Sequence, residues 1–80
     1  MTAPRSANDL AQILRQARRA QRLTQAELAG RAGLQAHHIS NIENGVTNPT
    51  VTTVLALLAA LNLDWQIVPR DRGAAIEDIF

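Results

Sequence analysis

The sequence predicts an all-α domain of four to five helices that ends in one short β-strand. Three observations carry that reading. Apolar residues recur at helical spacing in successive short segments, which open on capping residues and in two cases close on Gly. The spacing changes to period two only late, at Leu63, Trp65 and Ile67. Finally, 80 residues with no Cys and only two aromatics, Trp65 and Phe80, leave a core to be built from Leu, Ile, Val and Ala. A domain this small is marginal without disulfides, metal or a partner subunit. With disulfides excluded, association with another chain is the expected source of extra stability.

Residues 1–6, with Pro4 among small and polar neighbours, read as a flexible leader. A helical pattern starts at Ala7: Leu10, Ile13, Leu14 and Ala17 share one stripe while Arg15, Arg18, Arg19 and Arg22 lie on other faces. Ser6 or Asn8 can cap this first helix, which is expected to run over about 7–21. Thr24 and Glu27 form a capping box that opens a second helix, with Leu28, Ala29 and Ala32 inward and Gly33 as its stop. Gly30, inside that helix, suggests close approach of a neighbouring helix. A third helix is expected over Gln35 to Asn44, ending at Gly45. Pro49 and Thr50 introduce a fourth, to about Asn62, with Val51, Val54, Leu55, Leu58 and Leu61 on its stripe and Leu57 widening it.

The strand expected over 63–69 has no partner elsewhere in the chain, and a lone strand cannot satisfy its backbone. Pairing Leu63, Trp65 and Ile67 with the same strand of a second copy, antiparallel about a two-fold axis, solves this; an extended tail with Trp65 folded back on the fourth helix is the alternative. Residues 7–69 thus form one domain with its dimerisation strand, and 70–80 form an acidic tail. In that tail Ile76, Ile79 and Phe80 stand at i, i+3 and i+4, a spacing that suits docking on a partner.

The longest apolar run, Val54 to Leu61, is far short of the roughly 20 residues a membrane helix needs, and the N-terminus has no signal-peptide core. A soluble protein of the bacterial cytoplasm, with no membrane association, is expected. Its net charge of +1 hides a polarity. Residues 1–34 hold six Arg against Asp9 and Glu27, a balance of +4, whereas residues 35–80 hold two Arg against five acids, a balance of −3. A basic half suits a polyanion, although a solvated basic helix would look the same. Neither serine, Ser6 or Ser40, lies in a nucleophile motif, and no phosphate loop or carboxylate pair appears, so no enzyme activity and no cofactor are expected. His37 and His38 diverge by about 100° on a helix and have no Cys or third His to join them, so no metal site is expected either.

Two short helices joined by a Gly-containing turn are the core of a helix-turn-helix, whose second helix enters the DNA major groove. Projection of the third helix sets Ile39 and Ile42 on one side and His37, Ser40, Asn41 and Asn44 on the other. Such small polar side chains can read base edges without bulk. The segments Leu23-Thr-Gln-Ala-Glu-Leu-Ala29, Ala32-Gly-Leu34 and Ile39-Ser-Asn-Ile-Glu-Asn-Gly45 resemble the lambda-repressor-like (Cro/C1, XRE) family. Thr47-Asn-Pro-Thr50, Thr52-Thr53 and Leu63-Asp-Trp-Gln-Ile67 extend the likeness to HipB-type antitoxins, which partner HipA-type serine/threonine kinase toxins.

The resemblance implies base readout by Gln35, Ala36, His37, Ser40 and Asn41. It implies phosphate contacts by Gln25, at the start of the second helix, and by Asn44 and the loop to Asn48, with Arg22 in the surrounding basic footprint. Arg18 and Glu43 match a buried ion pair that ties the first helix to the end of the third. Position 35 lacks the family's small hydroxyl cap and position 36 its common Gln or Arg, which shifts the weight of readout to His37. The implied function is a homodimeric repressor that binds an inverted-repeat operator in double-stranded DNA, with a HipA-like kinase as protein partner. A regulator without a toxin, or a protein-interaction module with weak DNA binding, are the alternatives.

Overall fold

The computed structural model describes residues 5–69. The first four residues of the leader and the whole of the tail, including Ile76, Ile79 and Phe80, lie outside it. Four helices occupy the described chain: α1 (Ala7–Ala20), α2 (Gln25–Ala32), α3 (Ala36–Glu43) and α4 (Val51–Ala60). α2 packs on both α3 and α4, and α1 on α3.

Each start is set by a local hydrogen bond where the sequence supplies one. Ser6 Oγ accepts from the Asp9 amide at 3.1 Å, and Thr50 Oγ1 from the Thr53 amide at 3.1 Å. The capping box at α2 is complete: Thr24 Oγ1 accepts from the Glu27 amide (3.0 Å) and Glu27 Oε1 from the Thr24 amide (2.9 Å). α3 is the exception, since Gln35 stands at its N-cap without a side-chain hydrogen bond.

All four helices stop in the same way. A residue of positive φ follows each: Arg22 (58°), Gly33 (70°), Gly45 (75°) and Asn62 (59°). The next amide then reaches back to a carbonyl one turn inside, as Leu23 to Arg18 (3.1 Å), Leu34 to Ala29 (2.9 Å), Val46 to Asn41 (2.8 Å) and Leu63 to Leu58 (2.8 Å). Gly serves two of these turns at no steric cost, while Arg22 bears the strain of a branched Cα in the left-handed region. A further bond, Gln21 Nε2 to the Leu61 carbonyl at 2.6 Å, ties the end of α1 to the end of α4.

The core is aliphatic throughout. Leu14, Leu28, Ile39, Ile42, Leu57 and Leu61 are its most deeply buried side chains, with Leu23, Ala29, Val54 and Leu58 around them. On α4 the buried stripe is Val54, Leu57, Leu58 and Leu61, centred on Leu57, and not on the line through Val51 and Leu55, which are 63% and 50% exposed. A helix apolar on nearly every face carries no periodic signal to choose between these registers. Gly30 departs from expectation too: it is exposed, and a Cβ added there would meet nothing within 4 Å, so no helix approaches it.

The strand expected over 63–69 is absent among the described residues; the segment carries no regular secondary structure. A β-ladder needs a second strand, and the described residues offer none. Leu63 packs against the core, whereas Trp65 is 45% and Ile67 94% exposed, so the alternating residues do not all face inward. Together with Leu55, Leu58, Ala59 and Asn62, Leu63 and Trp65 line an open groove of about 480 Å³.

Because Gly30 costs helix stability without a compensating contact, Gly30→Ala should raise the unfolding free energy by about 1 kcal/mol. The check is the urea midpoint at unchanged slope; a lower midpoint would show that the position needs glycine after all.

Candidate nucleic-acid interface

α3 is eight residues long, too short to hold its shape alone, so its reading face is fixed by what lies beneath it. Ile39 and Ile42 anchor it in the core. Its C-terminal end is held by charge. Arg18 Nε donates to Glu43 Oε2 at 2.8 Å and Arg18 Nη2 to Glu43 Oε1 at 3.0 Å, a bidentate pair, while Nη1 donates to the Leu23 carbonyl at 2.8 Å. Both side chains are nearly out of solvent, at 10% and 2% exposure. Gln25 Nε2 also donates to Glu43 Oε1, at 3.2 Å. Among the described residues no buried side-chain polar atom lacks a hydrogen-bond partner.

Burial by itself would raise the Glu43 carboxyl above the usual glutamate range; the hydrogen bonds from Arg18 and Gln25, with the charges of Arg18 and Arg15, outweigh it and hold the group lower. The hydrogen bond to Glu43 in turn holds Arg18 more firmly protonated, against the opposing effect of burial.

Above this support lies the face expected to read bases. Gln35, Ala36 and His37 are exposed, and Ser40 and Asn41 are half-buried on the same helix. Asn44, at the C-cap, donates through Nδ2 to Ser40 Oγ at 3.3 Å, so the two form a joined polar edge. Gln35, free of a capping role, leaves its amide available, and the α3 N-terminus has no acidic side chain to repel a polyanion. Asn48 and Arg22 are exposed on the flanking turns. Gln25 is half-buried and already bonded to Glu43, a link across eighteen residues for which the sequence pattern holds no signal. His37 is exposed and His38 half-buried, and no group of three or more potential metal ligands exists among the described residues. None of the described helices is long and apolar enough to cross a membrane.

An aliphatic four-helix unit whose second and third helices meet at a glycine turn, with a polar outer face on the third, is a helix-turn-helix DNA-binding domain. The chain matches the helix-turn-helix family model HTH_3 over residues 14–68 and belongs to that family, the XRE-type transcriptional regulators of lambda-repressor-like fold, which is not a class of enzymes. It is similar, at 39% identity over 70 residues, to an uncharacterised HTH-type transcriptional regulator, y4dL, of Sinorhizobium fredii. That match takes in 88% of this chain but only 36% of the relative.

Among solved structures, the chain matched in a HipB-O4 20mer complex superposes with a TM-score of 0.81 at 31% identity, covering 89% of this chain and 100% of that one. The chain matched in a HipA-HipB-O2-O3 complex gives 0.80 at 31%, with the same coverage. The restriction-modification controller protein C.AhdI of Aeromonas hydrophila gives 0.70 at 31%, over 72% of this chain and 88% of its own.

The lowered Glu43 carboxyl has a definite pH consequence. Its contribution to stability is fully present above the unfolded glutamate value near 4.3 and is lost as pH falls through the lower folded value. Glu27, lowered by the Thr24 backbone and side-chain hydrogen bonds, acts in the same direction. The urea midpoint should therefore hold steady from about pH 7 to 5 and fall below about 4.5. Arg18→Ala, which strands the Glu43 carboxylate, should cost about 3 to 5 kcal/mol at neutral pH. A loss under about 1 kcal/mol would mean that the pair behaves as a surface salt bridge.

Proposed function

We propose that this chain is a homodimeric, sequence-specific repressor and the HipB-like antitoxin of a type II toxin-antitoxin system, binding a HipA-like serine/threonine kinase and repressing their shared operon in the bacterial cytoplasm. The observation that carries the reading is the extent of the HipB likeness. It spans 89% of this chain and 100% of the solved HipB chain, whereas the likeness to the controller protein takes in 72% of this chain. HipB has been solved in an O4 20mer complex and in a HipA-HipB-O2-O3 complex, which supports a HipA-like partner and a DNA partner for this chain.

In this reading Gln35, Ala36, His37, Ser40 and Asn41 meet base edges, and Gln25, Asn44, Asn48 and Arg22 meet the phosphate backbone. His37 is the largest hydrogen-bonding side chain on the exposed outer face of α3, and Ala36 offers only an apolar contact such as a thymine methyl. Two copies place two α3 helices in successive major grooves, which calls for an inverted repeat with half-sites about 34 to 36 Å apart. The dimer contact is formed by Leu63, Trp65 and Ile67, supported by the exposed Val51 and Leu55 of α4.

A regulator with no toxin is the second reading, favoured by the likeness to the controller protein. Affinity purification of the tagged chain from its native host separates the two: recovery of a kinase encoded beside it supports the antitoxin, and its absence leaves the stand-alone regulator. Footprinting on the chain's own promoter tests autorepression, which fails if no inverted repeat is protected. His37→Ala should weaken operator binding by about 1 to 3 kcal/mol while leaving binding to random DNA nearly unchanged. Equal losses on both would make His37 a mere positioning contact. Trp65→Ala should move the sedimentation profile from dimer towards monomer, and an unchanged profile would remove the proposed dimer contact.

A further inference from the structure

The carboxylate of Glu43 does more than neutralise Arg18. Its Oε2 is satisfied by Arg18 Nε, but Oε1 accepts twice, from Arg18 Nη2 at 3.0 Å and from Gln25 Nε2 at 3.2 Å. An ionised carboxylate only accepts, so it can meet the NH₂ end of the Gln25 amide and not the carbonyl end. Turning the amide over would set its oxygen against the oxygens of Glu43 in a site shielded from water. The free choice of orientation that a surface glutamine has is therefore removed, and one N–H of Nε2 is spent on Glu43 while the other is left to donate. Gln25 is the first residue of α2, beside the complete Thr24–Glu27 capping box that fixes the backbone there.

We propose that Glu43 is a positioning residue for DNA backbone contact: it fixes the Gln25 side-chain amide so that the second Nε2 hydrogen donates to a phosphate oxygen. The inference rests on the reading of Gln25 as a phosphate contact. It gives the Arg18–Glu43 pair a second role, because the guanidinium that anchors Glu43 also sets, through Gln25, the donor offered to DNA. Since Gln25 is neutral, its contact releases no counterion, and its loss should weaken binding to all sequences alike without changing the salt dependence.

The test is a double-mutant cycle on binding to a labelled 20-bp duplex of random sequence at one fixed salt concentration, with folding of each variant confirmed by circular dichroism. Gln25→Ala should weaken binding by about tenfold, as removal of a hydrogen bond to a charged group does. Glu43→Gln, which no longer dictates the amide's orientation, should lose about as much in the wild-type background but less than about twofold in the Gln25→Ala background. Equal losses in both backgrounds would overturn the positioning role, leaving Glu43 a structural residue. No effect of Gln25→Ala would overturn the phosphate reading of Gln25, and the inference with it.

If Glu43→Gln does not fold, the wild-type protein decides through the two side-chain Hε2 resonances of Gln25. On adding the duplex, one proton should shift and the one bonded to Glu43 should stay. Shifts of both protons alike would show a reoriented amide and refute the proposal, while two unmoved protons would refute the phosphate contact itself.

Discussion

The arrangement of this domain depends on one buried ion pair. Arg18 lies near the end of α1 and Glu43 at the end of α3, twenty-five residues apart in sequence, and their bidentate contact at 2.8 and 3.0 Å closes the helix-turn-helix from behind. The third donor of the guanidinium caps the Leu23 carbonyl, in the turn that leads to α2. In the same turn the Leu23 amide bonds back to the Arg18 carbonyl, so Arg18 and Leu23 hold each other in both directions. Burying two charges costs several kcal/mol each unless good geometry and further hydrogen bonds offset it, and here no buried side-chain polar atom among the described residues lacks a partner. A hydrophobic pair could supply similar stability, but no aliphatic contact would fix the rotation of α3 about its own axis as a planar two-point bond does.

That rotation matters because α3 has little else to define it. Eight residues with no side-chain cap cannot sustain a helix in water, and α2 is equally short. Ile39 and Ile42 set the depth of α3 in the core, and Glu43 sets its angle. The outward side chains, His37, Ser40, Asn41 and Asn44, are short, so they cannot compensate for a tilted helix by extending towards a base. A small reading face of this kind works only on a rigid support.

Much of this could be read from the chain, and the parts that could not have physical reasons. Helix starts at Ser6, Thr24 and Thr50 and stops at Gly33 and Gly45 were legible because each is a local hydrogen-bond pattern with its own residue preference. The stops at Arg22 and Asn62 form the same turn without glycine and leave no such mark. The register of α4 was illegible because a helix apolar on most faces has no moment to read, and Gly30 misled because a helical glycine exposed to solvent looks the same in sequence as one pressed against a neighbour. The Arg18–Glu43 pair came from family resemblance, not from pattern. The Gln25 bond to Glu43 came from neither, since nothing local couples residues that far apart. The strand expected over 63–69 is a different case, for alternation alone does not make a ladder, and among the described residues there is no second strand for it to pair with.

The two ends of the fold thus face different demands. Around α3 no buried side-chain polar atom lacks a hydrogen-bond partner and the outer face is polar, as suits a surface that meets a wet, charged partner. Around α4 the opposite holds: Val51, Leu55, Trp65 and Ile67 stay exposed beside an open groove. An aliphatic core of about ten buried residues is small, and apolar area left uncovered is area that has not yet contributed to stability. Covering it with a second copy would add stability and, in the same step, fix the spacing between two reading helices. One such interface would then meet both the requirement for stability and the requirement of the proposed two-fold operator.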